Sequence, residues 1–289
     1  MVPAALLAII LVGYDYYDRE RTRLIRDSLS TARALSAAVD SELTAVKAAL
    51  FALSTSPHLA SGNLGAFHAQ AVAAMKDQTF VNVILSDGSG RQLLNTFRPF
   101  GEPLPAQGDP GGMLRVFQTG APLVTDLFKG RLTQANIIGV AVPVRIDGKI
   151  RYGLNAGLAP ARLSALLGQQ ELPPGWIAVV LDRTGTIVAR THDAEQLVGK
   201  KGSRELVRRS QGEMREDAFD TRTVEGIPVL TVFSRSPVSG WTVGIGIPQR
   251  ELMANLFSSI GRLFVVGFIA LAAALGLAFA LGRRFLRPA

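Results

Sequence analysis

Cysteine is absent from the 289 residues, which excludes disulfides and thiol nucleophiles together and suits a bacterial periplasm. Histidine is scarce. His58, His68 and His192 are the three, and no two stand four apart, the spacing that puts two metal ligands on one helical face. Serine is plentiful, yet none sits in a Gly-x-Ser-x-Gly elbow. Asp87-Gly88-Ser89-Gly90-Arg91 lacks the Gly-Lys-Thr ending of a phosphate loop, and Gly244-Ile245-Gly246-Ile247-Pro248 lacks the third glycine of a dinucleotide fingerprint. The sequence therefore predicts no catalytic residues, no metal site and no cofactor.

Acidic residues are missing after Glu251. The formal charge is +8, from 31 Lys and Arg against 23 Asp and Glu. Four of the basic residues lie beyond residue 256, so the stretch from 15 to 256 has 27 against 23, or +4. No stripe of Lys and Arg marks a nucleic-acid surface, which excludes that partner. Lys200, Lys201, Arg204, Arg208 and Arg209 are interrupted by Glu205 and read as a solvated face. The carboxylate pairs Glu216-Asp217 and Asp193 with Glu195 fall in loop-like stretches, where solvation is the expectation.

Two apolar runs mark the ends. Leu263 to Leu281 carries no charge and is followed by Arg283, Arg284 and Arg287. As a helix it spans roughly 28 Å, the thickness of a bilayer's hydrocarbon core, and its basic flank belongs in the cytoplasm. Val2 to Val12 is shorter and runs into Tyr14, Tyr16 and Tyr17, residues that favour the membrane interface. It lacks the basic start and small-residue cleavage pattern of a signal peptide. The expectation is a first transmembrane helix over 1–17, a second over 257–282, the start of a cytoplasmic linker over 283–289, and residues 15–256 in the periplasm, anchored in the inner membrane.

Glycine and proline are both absent between Asp15 and Thr55. Over that stretch Ile25, Leu29, Ala32, Leu35, Val39, Leu43, Val46, Leu50 and Leu53 recur at steps of three and four, the period of one amphipathic helix. This predicts a stalk helix over 18–56. Past Pro57 the pattern becomes short strands with turn chemistry: Phe80 to Leu85 and Arg91 to Thr96 around a turn at Asp87, then a Pro- and Gly-rich loop and a helix near Met113 to Thr119. Strands Ile137 to Val144 and Ile150 to Gly157 follow, then a helix opened by Pro160.

The same order then repeats. Trp176 to Leu181, a turn at Asp182-Arg183-Thr184-Gly185, Ile187 to Arg190, a helix near Ser203 to Ser210, and strands Thr221 to Val224, Val229 to Ser234 and Trp241 to Ile247 form the second set. Each set is a small antiparallel sheet with helices on one side, an α+β arrangement. The predicted modules occupy 57–168 and 169–256.

This order, with Val179 through Arg190 as a strand-turn-strand, Val198-Gly199-Lys200, and Ser239-Gly240-Trp241-Thr242-Val243 before the last strand, resembles the double Cache sensor domain of bacterial transmembrane receptors, most closely those of α-proteobacterial histidine kinases. The resemblance implies two tandem PAS-like modules on a stalk helix, flanked by transmembrane helices. It implies a ligand-sensing region of a two-component histidine kinase, acting as a homodimer. A chemoreceptor or a diguanylate cyclase would carry the same input domain. A membrane-anchored extracytoplasmic enzyme is the contrasting class, and the lack of a nucleophile stands against it. The resemblance also implies a pocket in the membrane-distal module, between Leu93 and Gly157, where the candidate ligand-binding residues are Arg98, Lys129, Arg131, Asn136, Tyr152 and Asn155. Amino-acid binders of the family carry an aspartate near the end of the last distal strand, where this chain has Asn155-Ala156-Gly157. Cations without a nearby acid favour a small carboxylate ligand, which a guanidinium holds by two charge-assisted bonds.

Overall fold

Helix α1 runs unbroken over Val2–Ser54 in the computed structural model, which describes residues 2–75, 80–106 and 109–250, and no glycine or proline interrupts it after Gly13. Residues 2–17, expected to cross the membrane, are the first turns of this helix, and the second expected span, 257–282, lies outside the described residues with the linker at 283–289. No helix among the described residues is long and apolar enough to cross a membrane. Residues 27–246 form one compact unit. Within the large unit Ala32, Leu35, Val39, Leu43, Val46, Leu50 and Leu53 are all buried, the stripe that the three-and-four spacing predicts.

The chain after Pro57 departs from expectation, since it begins with helices and not with a strand. Pro57–Ala60 is a single turn, α2, and Leu64–Met75 is α3. Alanine-rich α3 has strong helix propensity, but its alanines lie all round it and blur the periodic signal; Phe67 and Ala71 are its buried residues.

The distal sheet combines β1 (Asn82–Ser86), β2 (Gln92–Asn95), β3 (Leu123–Val124), β5 (Asn136–Ile146) and β6 (Lys149–Leu158) in the order β2-β1-β6-β5-β3, with β4 (Phe128–Lys129) also paired to β5. Helix α4 (Pro110–Thr119) covers part of one face, and α5 (Pro160–Gly168) follows β6. The proximal sheet combines β7 (Ile177–Leu181), β8 (Ile187–Arg190), β9 (Glu216–Arg222), β10 (Pro228–Arg235) and β11 (Thr242–Pro248) in the equivalent order β8-β7-β11-β10-β9, with α6 (Ala194–Leu197) and α7 (Arg204–Ser210) between β8 and β9. Both sheets are antiparallel with helices between their strands, the α+β class expected.

The duplication extends to single atoms. Asp87 Oδ1 accepts from Ser89 N, Ser89 Oγ and Arg91 N at 3.0, 2.6 and 3.1 Å, and Asp182 Oδ1 accepts from Thr184 N, Thr184 Oγ1 and Thr186 N at 2.9, 2.7 and 2.9 Å. Each turn closes through a glycine of positive φ, +82° at Gly90 and +77° at Gly185. Each hairpin also shifts register just before its aspartate, between Leu85 and Ser86 and between Val180 and Leu181.

One strand is displaced from its expected place. Thr221 to Val224 was the predicted span, but β9 occupies Glu216–Arg222 and Thr223 begins the turn, with Thr223 N bonded to Ile227 O at 2.9 Å. Glu216 and Asp217 are accordingly strand residues and not solvated loop carboxylates. Arg33 of the stalk holds Glu216 through two bonds of 2.7 and 2.6 Å, and Arg209 holds Asp217 at 2.6 Å. A second stalk contact is buried: Asp40 accepts from Ser236 Oγ at 2.5 Å and Ser239 Oγ at 2.9 Å.

Candidate functional site

One face of the distal sheet is only partly covered. Along β6 the positions of Gly153, Asn155 and Gly157 share this face, because strand residues alternate. At one end α4 sits so close that a Cβ on Gly153 would lie 2.2 Å from Met113 Sδ. Beyond α4 the face opens into a cavity of about 450 Å3, mouth included. Asn82 and Ile84 from β1, Gln92 and Asn95 from β2, and Asn155 and Gly157 from β6 form its floor; Phe97, Phe128 and the Gly130–Thr133 turn form its walls.

Strand register brings these residues together. Ile84 pairs with Asn95 on one side and Asn155 on the other, so two carboxamides flank it in one row across three strands. Asn82 pairs with Gly157, whose N–H donates to Asn82 Oδ1 at 3.1 Å. Only glycine permits this approach, since a Cβ at 157 would lie 2.4 Å from that oxygen. The chain of amides continues: Asn95 Oδ1 accepts from Phe97 N at 3.1 Å, Asn95 Nδ2 donates to Gln92 Oε1 at 3.1 Å, and Gln92 Nε2 reaches Ala106 O at 3.4 Å.

Asn155 is the exception. Its residue is 8% exposed, and its side chain makes no hydrogen bond among the described residues. Its amide is not sealed off but stays open to the cavity, so its donors and acceptor are free to meet a group bound there. Arg131 stands exposed at the mouth and is the one charged side chain among the described lining residues. No carboxyl of displaced pKa lines the cavity among the described residues. The carboxyls held low are in other places: Asp87 chiefly by the Ser89 hydroxyl, Glu216 chiefly by Arg33, Glu205 at about 2 by Arg208 and Arg209, and Glu225 at about 2 chiefly by Arg190. The arrangement suits recognition rather than proton transfer.

Of the six candidates from the sequence, Arg131 and Asn155 line this cavity. Arg98 lies outside it, ion-paired to Glu102 at 3.3 Å, with its carbonyl bonded to His68 Nε2 at 2.9 Å. Lys129 is exposed on β4, in register with Asn136. Asn136 turns to the proximal module and donates to Val198 O at 3.3 Å. Tyr152 is three residues from Asn155 and so lies on the opposite face of β6, buried. Asn82, Gln92 and Asn95 were not singled out from the sequence. Their signal was present, because asparagine is depleted in strands and two of them interrupt apolar strand sequence here.

Neither a protein-family model nor a curated protein sequence matches the chain. Solved structures do. The extracellular domain of rpHK1S-Z16, assigned as a histidine kinase, superposes with a TM-score of 0.59 at 13% identity, over 78% of this chain and 94% of its own. The ligand-binding domain of the Pseudomonas fluorescens chemoreceptor CtaA, solved with L-isoleucine, gives 0.63 at 16% identity, over 82% and 97%. That of the Campylobacter jejuni chemoreceptor Tlp3, solved with L-valine, gives 0.59 at 13%, over 82% and 97%. The chain shares the fold of these extracellular domains. Within this fold the turn that walls the cavity is tied at both ends to the proximal module. Leu127 N donates to Asp182 Oδ2 at 3.1 Å on one side, and Asn136 reaches Val198 on the other. Arg183 reinforces the first tie through Asp126 at 3.0 Å and Val124 O at 2.7 Å.

Proposed function

We propose that this chain is the extracytoplasmic sensor region of a membrane receptor, and that its distal cavity binds a small carboxylate-bearing metabolite. The observation that carries this reading is the carboxamide of Asn155, free of protein partners among the described residues and open to a cavity with Arg131 at its mouth. Arg131 supplies a guanidinium for the carboxylate, and Asn155 one donor and one acceptor for the body of the ligand. No acid among the described lining residues stands ready to hold an ammonium group, which favours acids without one over amino acids, the ligands named for the CtaA and Tlp3 domains. Occupancy would draw in the Gly130–Thr133 turn, and the ties from Asp182 and Val198 would carry that movement to the proximal module as a population shift. The output we assign is a histidine kinase in a homodimer anchored in the inner membrane with residues 15–256 in the periplasm, on the strength of the sequence resemblance.

A thermal-shift screen of small carboxylates on the purified chain tests the reading, because a ligand bound only to the folded state adds about 2.7 kcal/mol at a hundredfold excess over its Kd. Asn155→Leu should abolish the shift. It should change the stability of the empty protein by no more than about 1 kcal/mol, since the carboxamide makes no hydrogen bond within the described residues. Stabilisation by neutral or cationic compounds alone would sink the carboxylate assignment.

A further inference from the structure

The proximal sheet carries a second cleft, which the distal reading leaves without a role. Val179 and Leu181 from β7, Leu206 from α7 and Val229 from β10 wall it, and with its mouth it encloses about 440 Å3. Small-molecule sites ordinarily occupy roughly 300–1,000 Å3 and pair apolar walls with few polar groups. The buried charged group here is Arg190 of β8, which is 4% exposed; Ser203, Arg222, Thr223 and Thr231 also line the cleft.

Arg190 Nη1 donates to the carboxylate of Glu225 on the β9–β10 turn. Its Nε and Nη2 make no hydrogen bond among the described residues, and neither is sealed from the cleft. Other arginines of this chain use that edge to grip a carboxylate. Arg33 holds Glu216 through Nε and Nη2 at 2.7 and 2.6 Å, and Arg208 holds Glu205 through the same two atoms at 3.0 and 2.6 Å. In Arg190 that edge opens onto the cleft without a partner among the described residues. The planar fork matches a carboxylate through two parallel N–H groups, so this open edge is shaped to take a second one. Arg222 adds a second positive charge at the mouth, leaving the cleft at +1 with Glu225 in place.

We propose that the proximal module holds a second ligand site, for an aliphatic monocarboxylate whose carboxylate takes the free Nε–Nη2 edge of Arg190. The alkyl chain would lie against Val179, Leu181, Leu206 and Val229. Glu225 competes for the same cation from an exposed turn, which sets a low affinity that neutralising Glu225 should raise.

Equilibrium dialysis of the full chain in detergent against radiolabelled hexanoate tests this. One saturable site is expected, displaced by unlabelled hexanoate and not by hexanamide, its neutral isostere. Glu225→Gln should tighten it about tenfold by removing the neighbouring negative charge, and Arg190→Gln should abolish it. Asn155→Leu should leave hexanoate binding unchanged, so this proposal and the distal one fail separately. Should Arg190→Gln not fold, the Glu225→Gln comparison decides by itself. The proposal is overturned if neither the wild type nor E225Q binds hexanoate saturably, if hexanamide competes equally, if E225Q leaves affinity unchanged, or if Asn155→Leu removes the site.

Discussion

The backbone N–H of Leu127 donates to Asp182 Oδ2 at 3.1 Å, although 55 residues separate them in the chain. Asp182 belongs to the β7–β8 turn and Leu127 lies next to β4, so one carboxylate both builds a proximal turn with its Oδ1 and clasps the distal module with its Oδ2. Its counterpart Asp87 spends Oδ2 locally, on Arg91 Nε at 3.1 Å. The two turns share one local design, and tertiary context gave the second of them a further duty.

Replacing Asp182 by Ala should therefore do more than loosen a turn. Several bonds to a carboxylate that is 3% exposed are lost, each worth about 1–3 kcal/mol when made to a charged group and left unmade on one side. Amide exchange at Leu127 should accelerate by about tenfold or more, the equivalent of about 1.4 kcal/mol, while Gly157 keeps its protection. Arg183→Ala, which removes a half-exposed pair, should cost under about 1 kcal/mol. Unchanged exchange at Leu127 in D182A would show that the tie has no energetic weight.

Gly157→Ala should destabilise the distal module by about 1–3 kcal/mol, because its methyl would meet Asn82 Oδ1 at 2.4 Å. Asn82→Ala removes the obstacle. The double variant should be less destabilised than the sum of the two single ones, a coupling that urea titration of all four chains can measure. Additive losses would mean that the backbone around 157, and not this contact, carries the cost.

Acid should weaken the fold in a window set by its paired glutamates. Glu225 and Glu205 are held at about 2, below the ordinary 4.5, the first chiefly by Arg190 and the second chiefly by Arg208. A depressed carboxyl stabilises the folded state fully above its unfolded value and stops doing so as pH falls through its folded value. Stability measured by urea unfolding should thus decline between about pH 4.5 and 2, and E225Q should flatten part of that decline. An E225Q profile parallel to the wild type would remove Glu225 from the account.

Topology is tested by fusions that fluoresce only in the cytoplasm. If the two terminal apolar runs cross the membrane with the arginines at 283, 284 and 287 in the cytoplasm, as we propose, a fusion after Asp220 should be dark and one after Ala289 bright. Fluorescence at Asp220 would overturn the periplasmic assignment.

What was legible in the sequence is what short-range physics dictates. The stalk stripe from Ala32 to Leu53 follows from a period of 3.6, and the hairpins at Asp87 and Asp182 follow from an aspartate accepting its own turn's N–H groups with a glycine to close it. Repetition of those signals disclosed the two modules. Helix α3 escaped because its alanines blur the amphipathic stripe, and β9 slipped because its Glu216 and Asp217 look solvated until Arg33 and Arg209 are beside them. The site was decided by tertiary structure. Asn82, Asn95 and Asn155 meet only because β1 lies between β2 and β6, and Tyr152 drops away because an odd step along a strand changes face. Arg131 and Asn155 can be chosen from the sequence by chemistry, but strand order and register, which rest on contacts far apart in the chain, determine which polar groups share one cavity and which of them is left without a partner.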